Sequence, residues 1–315
     1  MSILNMSVDN SRNIPYLCTK YMSVLMPDEV VRGFQKYPNA YKFPVDMLQQ
    51  DAMNPMRYEL KNELLKMYDV YILHERFNTL EGISNMANDV EGVIIPYLYT
   101  VDELEKCMAE NRGLLDNAPV ILIRQPNLKY GLEDWKEKVV YVPSPCSINM
   151  VDNVVSRELN GEYVFPDDWV IFCTFQDDIS YPLGVVNKVS NIRGDSKVLL
   201  FKVEDLTRPE LLSAIHRFDI HLHLSGSDFY SQSCIETAMA GVPTLTHIAP
   251  PLMDYVKDSP FIVIDRDKIV DQVMDVIDNL EDYKMNCIGN PFLEQHKAPI
   301  AVGNILDELK KRKVI

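Results

Sequence analysis

No stretch of this 315-residue sequence reaches the ~18 uninterrupted apolar residues needed to span a bilayer, and no basic segment followed by an apolar core opens it. A cytoplasmic protein without a transmembrane segment is therefore expected. GxGxxG and GxxxxGK[ST] loops are missing, which argues against ordinary dinucleotide enzymes and P-loop NTPases. No GxSxG element points to a serine hydrolase. The six cysteines (Cys18, Cys107, Cys146, Cys173, Cys234 and Cys287) contain no CxxC pair, and reduced thiols are expected rather than a disulfide framework or a zinc site. Positive charge is also scarce. Lys and Arg number 31 against 46 Asp and Glu, a net charge of −15, so nucleic acid is not favoured as a partner, although a basic cleft can sit on an acidic protein. The oligomeric state is left open.

What is present reads as a folded globular chain, 47% apolar and 24% charged, long enough for two moderate domains. Short apolar strands alternate with helical patterns. The strands expected in the first half are Ile14–Lys20, Asp69–His74, Gly92–Tyr97, Pro119–Arg124 and Val139–Pro143. Helices are expected at Asp28–Tyr37, Glu59–Tyr68 and Val101–Leu115, the last opened by a capping box of Thr100 and Glu103. In the second half, Trp169–Phe175, Lys197–Val203, Asp219–Ser225, Val242–Thr246 and Pro260–Ile264 suit parallel strands buried on both faces. Helices at Leu183–Ile192, Arg208–Phe218, Ser231–Ala240 and Lys268–Leu280 separate them. The polar run Arg157–Asp168 marks a boundary. The expected fold is α/β, with two Rossmann-like domains whose parallel sheets face one another across a cleft. Residues 1–163 form the first domain, 164–295 the second, and 296–315 a C-terminal helix.

The segment Arg208–His247 carries the functional signal. A helix leads into the strand DIHLHLS, then a polar loop, a second helix and the turn GVP. Gly241 is expected to take the left-handed conformation after that helix, and Pro243 to start the next strand. The helix beginning near Ser231 aims free N–H groups at the mouth of the sheet, an arrangement suited to phosphate. Asp228 before it and Glu236 within it place two carboxylates around one ligand, able to accept hydrogen bonds from sugar hydroxyls.

This segment resembles the donor-binding signature of retaining GT-B glycosyltransferases, especially glycosyltransferase family 4. Asp228 and Glu236 have the E-x7-E spacing, with Asp in place of the first Glu, and ETAMAGVP keeps the family spacing from Glu236 to Gly241 and Pro243. Ser225 closes the strand as in the family. The resemblance implies a retaining, metal-independent transfer with no cofactor beyond its donor substrate, a nucleotide-diphosphate sugar. It implies that Glu236 binds the ribose and Asp228 the donor sugar, while the amides around Phe229, Tyr230 and Ser231 face the diphosphate or the sugar. YDVYILHERF resembles the family's DVVHAH strand, which makes His74 a contact to the donor sugar and the first domain the acceptor domain. A glycan, a lipid-linked sugar, a protein and a modified DNA base are all admissible acceptors.

Two departures stand beside the resemblance. FQDDISYPLG puts Asp177 and Asp178 where the family carries an Arg and a Lys for the diphosphate, with Lys188, Arg193 and Lys202 as candidate substitutes. The glycine pair of the first N-terminal loop is missing as well. They support a second reading, an inactive GT-B-like binding or assembly protein; a sugar-nucleotide epimerase is a third. Arg124 ends a strand and is a candidate cleft residue. His221 and His223 share one strand face and are expected as core or cleft histidines rather than zinc ligands, and Asp177–Asp178 as a solvated loop rather than a magnesium site.

Overall fold

A computed structural model describes residues 2–6, 18, 22, 25–26, 30–33, 69–74, 92–146, 168–194, 197–203, 211, 214–224, 231–248 and 253–315. The chain divides into two units: Met1–Pro145 with Ala298–Ile315, and Cys146–Lys297. The boundary expected at residue 163 lies outside the described residues. The final helix, expected as a separate segment, packs into the core of the first unit.

The first unit is built on a six-stranded parallel sheet. Its strands are β1 (Ser2–Met6), β2 (Val30–Gly33), β3 (Val70–His74), β4 (Val93–Leu98), β5 (Ile121–Ile123) and β6 (Val139–Tyr141), in the order β2-β1-β3-β4-β5-β6. Every residue of β3 is buried, as a central strand with both faces covered requires. Tyr71 and Leu73 join Ile94, Leu98, Ile121 and Ile123 on one face, under α1 (Val101–Glu110) and α2 (Arg112–Asn117). Ile72, Ile95, Tyr97 and Leu122 join the opposite face, which a C-terminal helix, Ala298–Lys311, covers with Val302, Ile305, Leu306 and Leu309.

Three expectations in this unit are corrected. The first strand is Ser2–Met6, not Ile14–Lys20, within which Cys18 is helical. Val30–Gly33, expected inside a helix, is an edge strand paired in parallel with β1, where two adjacent β-branched valines are favoured. The helix expected over Val101–Leu115 breaks at Asn111, whose φ of −136° and ψ of 36° leave the helical region and restart the chain as α2. The expected helix Glu59–Tyr68 lies outside the described residues. The expected cap forms with one variation. Thr100 accepts from the Glu103 N–H at 3.2 Å, while the Glu103 carboxylate reaches past Thr100 to the Tyr99 N–H at 2.7 Å.

The second unit carries a five-stranded parallel sheet of β7 (Val170–Thr174), β8 (Val198–Lys202), β9 (Ile220–His223), β10 (Thr244–Thr246) and β11 (Ile262–Val263). Its order, β11-β10-β9-β7-β8, reverses direction between β7 and β9. Phe172, Ile220, Leu222 and Leu245 pack under α3 (Ser180–Arg193) and α4 (Ile269–Asp278) on one face. On the other face Ile171 and Cys173 meet Ile215, Phe218 and Val242. The helix expected over Lys268–Leu280 ends at Asp278, and a second helix, Leu280–Cys287, follows.

The helix Gln232–Met239 ends as expected at Gly241, whose φ is +83°, with Gly241 N–H bonded to Ala238 O and Val242 N–H to Thr237 O. An L side chain in that conformation costs about 1–2 kcal/mol. Gly241→Ala is therefore expected to lower the stability of the second unit by about 1 kcal/mol in urea unfolding. An unchanged midpoint would show that the turn relaxes.

Candidate functional site

A cavity of about 520 Å³ opens in the second unit at the carboxyl ends of β7 and β9, where the strand order reverses. Open α/β sheets bind ligands at such switch points, because the crossover helices diverge to opposite faces and leave a crevice. The chain leaving β7 supplies Phe175, Gln176, Asp177 and Asp178, and β9 supplies His223 and Leu224. Tyr181 comes from the first turn of α3, Ser231 and Ser233 from the start of Gln232–Met239. Gln176 ties the two strand ends together, its Oε1 accepting from the Leu224 N–H at 3.1 Å.

The helix Gln232–Met239 is anchored to the sheet from below. Thr237 Oγ1 donates to Ser233 O at 2.7 Å and lies 2.9 Å from His221 Nδ1 and 3.0 Å from Thr244 Oγ1. Ser231 caps the helix by accepting from the Cys234 N–H at 3.4 Å, and its hydroxyl also contacts that of Ser233. Burial raises the Cys234 thiol, but the adjacent His223 and hydrogen bonds from His223 and Ser231 outweigh it and bring the thiol below its ordinary value. The α3 end is closed differently. Asp178 Oδ1 accepts from the Ser180 N–H at 2.9 Å, and this bond holds the Asp178 carboxyl below the usual carboxylate range.

Of the residues singled out in the sequence, Ser231 lines the cavity. Glu236 is buried one turn further along the same helix, 4% exposed, and accepts from Gln232 Nε2 at 3.0 Å; it is not among the lining residues. Ser225, Asp228, Phe229 and Tyr230 lie outside the described residues. None of Lys188, Arg193 and Lys202 lines the cavity. Phe175, Gln176, Tyr181 and Ser233 were not singled out. The signal that marks the first two is their place directly after a buried parallel strand, which the alternation already fixed. His221 is fully buried and His223 forms part of the wall, and among the described residues no three His, Cys, Asp or Glu side chains converge to hold a metal. All six cysteines are buried, and none forms a disulfide.

His74 belongs to the first unit, where it ends β3 in full burial. Its Nδ1 lies 2.8 Å from the Tyr99 hydroxyl, and burial lowers its pKa to about 3, so the ring is neutral near neutral pH. Tyr99 in turn lies under Arg124, whose Cζ is 5.7 Å from the ring centroid and whose Nε donates to Ser144 Oγ at 2.7 Å.

No protein-family model matches the sequence, and a comparison with curated protein sequences finds no match. Solved structures do match over the whole chain. UDP-GlcNAc 2-epimerase from Neisseria meningitidis, bound to UDP-GlcNAc, is 12% identical with a TM-score of 0.65, over 99% of this chain and 100% of that one. HepE from Anabaena, in complex with UDP-glucose, is 10% identical with a TM-score of 0.66, over 99% and 100%. Sucrose-phosphate synthase from Thermosynechococcus elongatus is 10% identical with a TM-score of 0.63, over 99% and 98%. At such identities the likeness establishes the fold alone: this chain has an α/β fold of the GT-B glycosyltransferase-like type. No helix among the described residues is long and apolar enough to cross a membrane.

Proposed function

We propose that this protein is a retaining glycosyltransferase whose second unit binds a nucleotide-diphosphate sugar. The observation that carries the reading is the cavity at the β7/β9 switch point, with Ser231 in its wall and Glu236 on the helix that Ser231 caps. The matched structures holding UDP-glucose and UDP-GlcNAc support the ligand class. In this reading the bond from the sugar's anomeric carbon to the diphosphate oxygen breaks, and an acceptor oxygen bonds to the same face. The acceptor proton passes to the departing phosphate. Glu236 holds the ribose and Asp228 the sugar, so the protein contributes positioning and preorganised dipoles.

One observation favours a second reading, binding without transfer: Asp177 and Asp178 line the cavity in place of cations. Both readings meet one experiment, thermal stabilisation of wild type and Glu236→Ala by UDP-, GDP-, ADP- and CMP-linked sugars. A ligand at ~100 times its Kd contributes about 2.7 kcal/mol, a rise of several degrees. The expected result is a rise with one nucleotide class that a folded Glu236→Ala variant loses. Silence from every nucleotide sugar at millimolar concentration would sink both. Product analysis then separates transfer from binding alone, and incubation with donor alone reveals epimerisation.

A further inference from the structure

At the carboxyl edge of the first unit's sheet, four neighbouring strands end in polar side chains that form a continuous row. His74 closes β3, Tyr99 follows β4, Arg124 follows β5 and Ser144 lies beyond β6. Arg124 stands apart in this row because it is charged and 7% exposed. Its Nε is taken by Ser144 and its face by Tyr99, while among the described residues neither Nη group meets a carboxylate. The nearby carboxylate of Glu103 accepts from the Tyr99 N–H. Burying a guanidinium without an anion is strongly unfavourable, and buried charges are as a rule paired.

We propose that Arg124 is an anion anchor, its Nη pair receiving an oxyanion, a phosphate or a carboxylate, on the small molecule that the first unit binds. The guanidinium is oriented in advance by Ser144 and Tyr99, and its remaining edge is the planar fork that engages an oxyanion through two hydrogen bonds. The adjacent His74 is neutral and adds no charge, so the attraction resides in Arg124. The site stands without the donor reading. If that reading holds, the anion belongs to the acceptor.

The test uses the full chain at constant chloride and ionic strength, titrated with inorganic phosphate and, separately, acetate, and followed by melting temperature and calorimetry. Saturable stabilisation by at least one of the two is expected, and which of them acts identifies the group. Arg124→Lys, which keeps the charge but loses the fork, is expected to weaken binding by about tenfold or more, and Arg124→Met to abolish it. Without either oxyanion, Arg124→Met is expected to melt no lower than wild type, because an uncompensated buried charge has been removed. No saturable shift in wild type, or the same shift in both variants, overturns the proposal. Glu236→Ala keeps the Arg124-dependent shift. Failure with nucleotide sugars while that shift persists would count against the donor site alone.

Discussion

Lowering the pH from 6.5 to 4.5 is expected to remove about 2 kcal/mol of stability through His74 alone. The unfolded histidine takes up its proton near the ordinary value of 6.5, whereas burial holds the folded ring at about 3. Well above pH 6.5 neither state binds the proton, and the stability is fully present. As pH falls below 6.5 only the unfolded chain is protonated, so stability drops by about 1.4 kcal/mol per pH unit until the folded value is reached. His221 acts in the same direction, its pKa pushed well below the ordinary value by burial and by repulsion from His223. Domains are stable by roughly 5–15 kcal/mol, so this loss is a large share. Urea unfolding of wild type and His74→Gln across this range measures it. The variant should show the shallower slope, and parallel curves would mean that His74 titrates normally in the folded state.

Phe172→Ala is expected to cost about 3–5 kcal/mol, the largest effect of a single substitution proposed for this protein. Phe172 is fully buried at the centre of β7, between Leu200 of β8 and Ile220 of β9, and packs with Val185, Val189, Val273 and Val276. Strands on both sides and helices above hold the surrounding atoms apart, so the vacated volume closes only in part. Phe172→Leu keeps most of that volume and should cost under about 1.5 kcal/mol. The sequence offers a reporter, because it holds two tryptophans, Trp135 in the first unit and Trp169 beside β7. In a Trp135→Phe background, fluorescence follows the second unit. A loss below about 1 kcal/mol for Phe172→Ala would show that this core is not packed as described.

The second unit was legible because its strands are nearly unbroken apolar runs, and parallel strands covered on both faces require this. Gly241 was legible for a different reason, since the turn leaving Gln232–Met239 needs a left-handed residue at that place. The first two strands were not. Ser2–Met6 is short and carries Ser2 and Asn5, and the spacing of Val30, Val31 and Phe34 is that of a helix face. Only pairing between β1 and β2 decides the matter, and pairing of distant segments leaves no local trace. The site divides in the same way. Ser231 follows from capping chemistry, which is local. The row from His74 to Ser144 depends on strand order, which brings together residues 70 positions apart in the chain.

The discontinuity of the first unit bears on how the chain is made. On the ribosome, strands β1 to β6 emerge long before the helix that covers Ile72, Ile95, Tyr97 and Leu122. Until about residue 309 has been synthesised, one face of that nascent sheet lacks part of its cover, while all strands of the second unit are already out. The second unit is thus the first that can close. A frameshift or proteolytic cut near residue 297 would spare it and strip a covering helix from the core of the first unit.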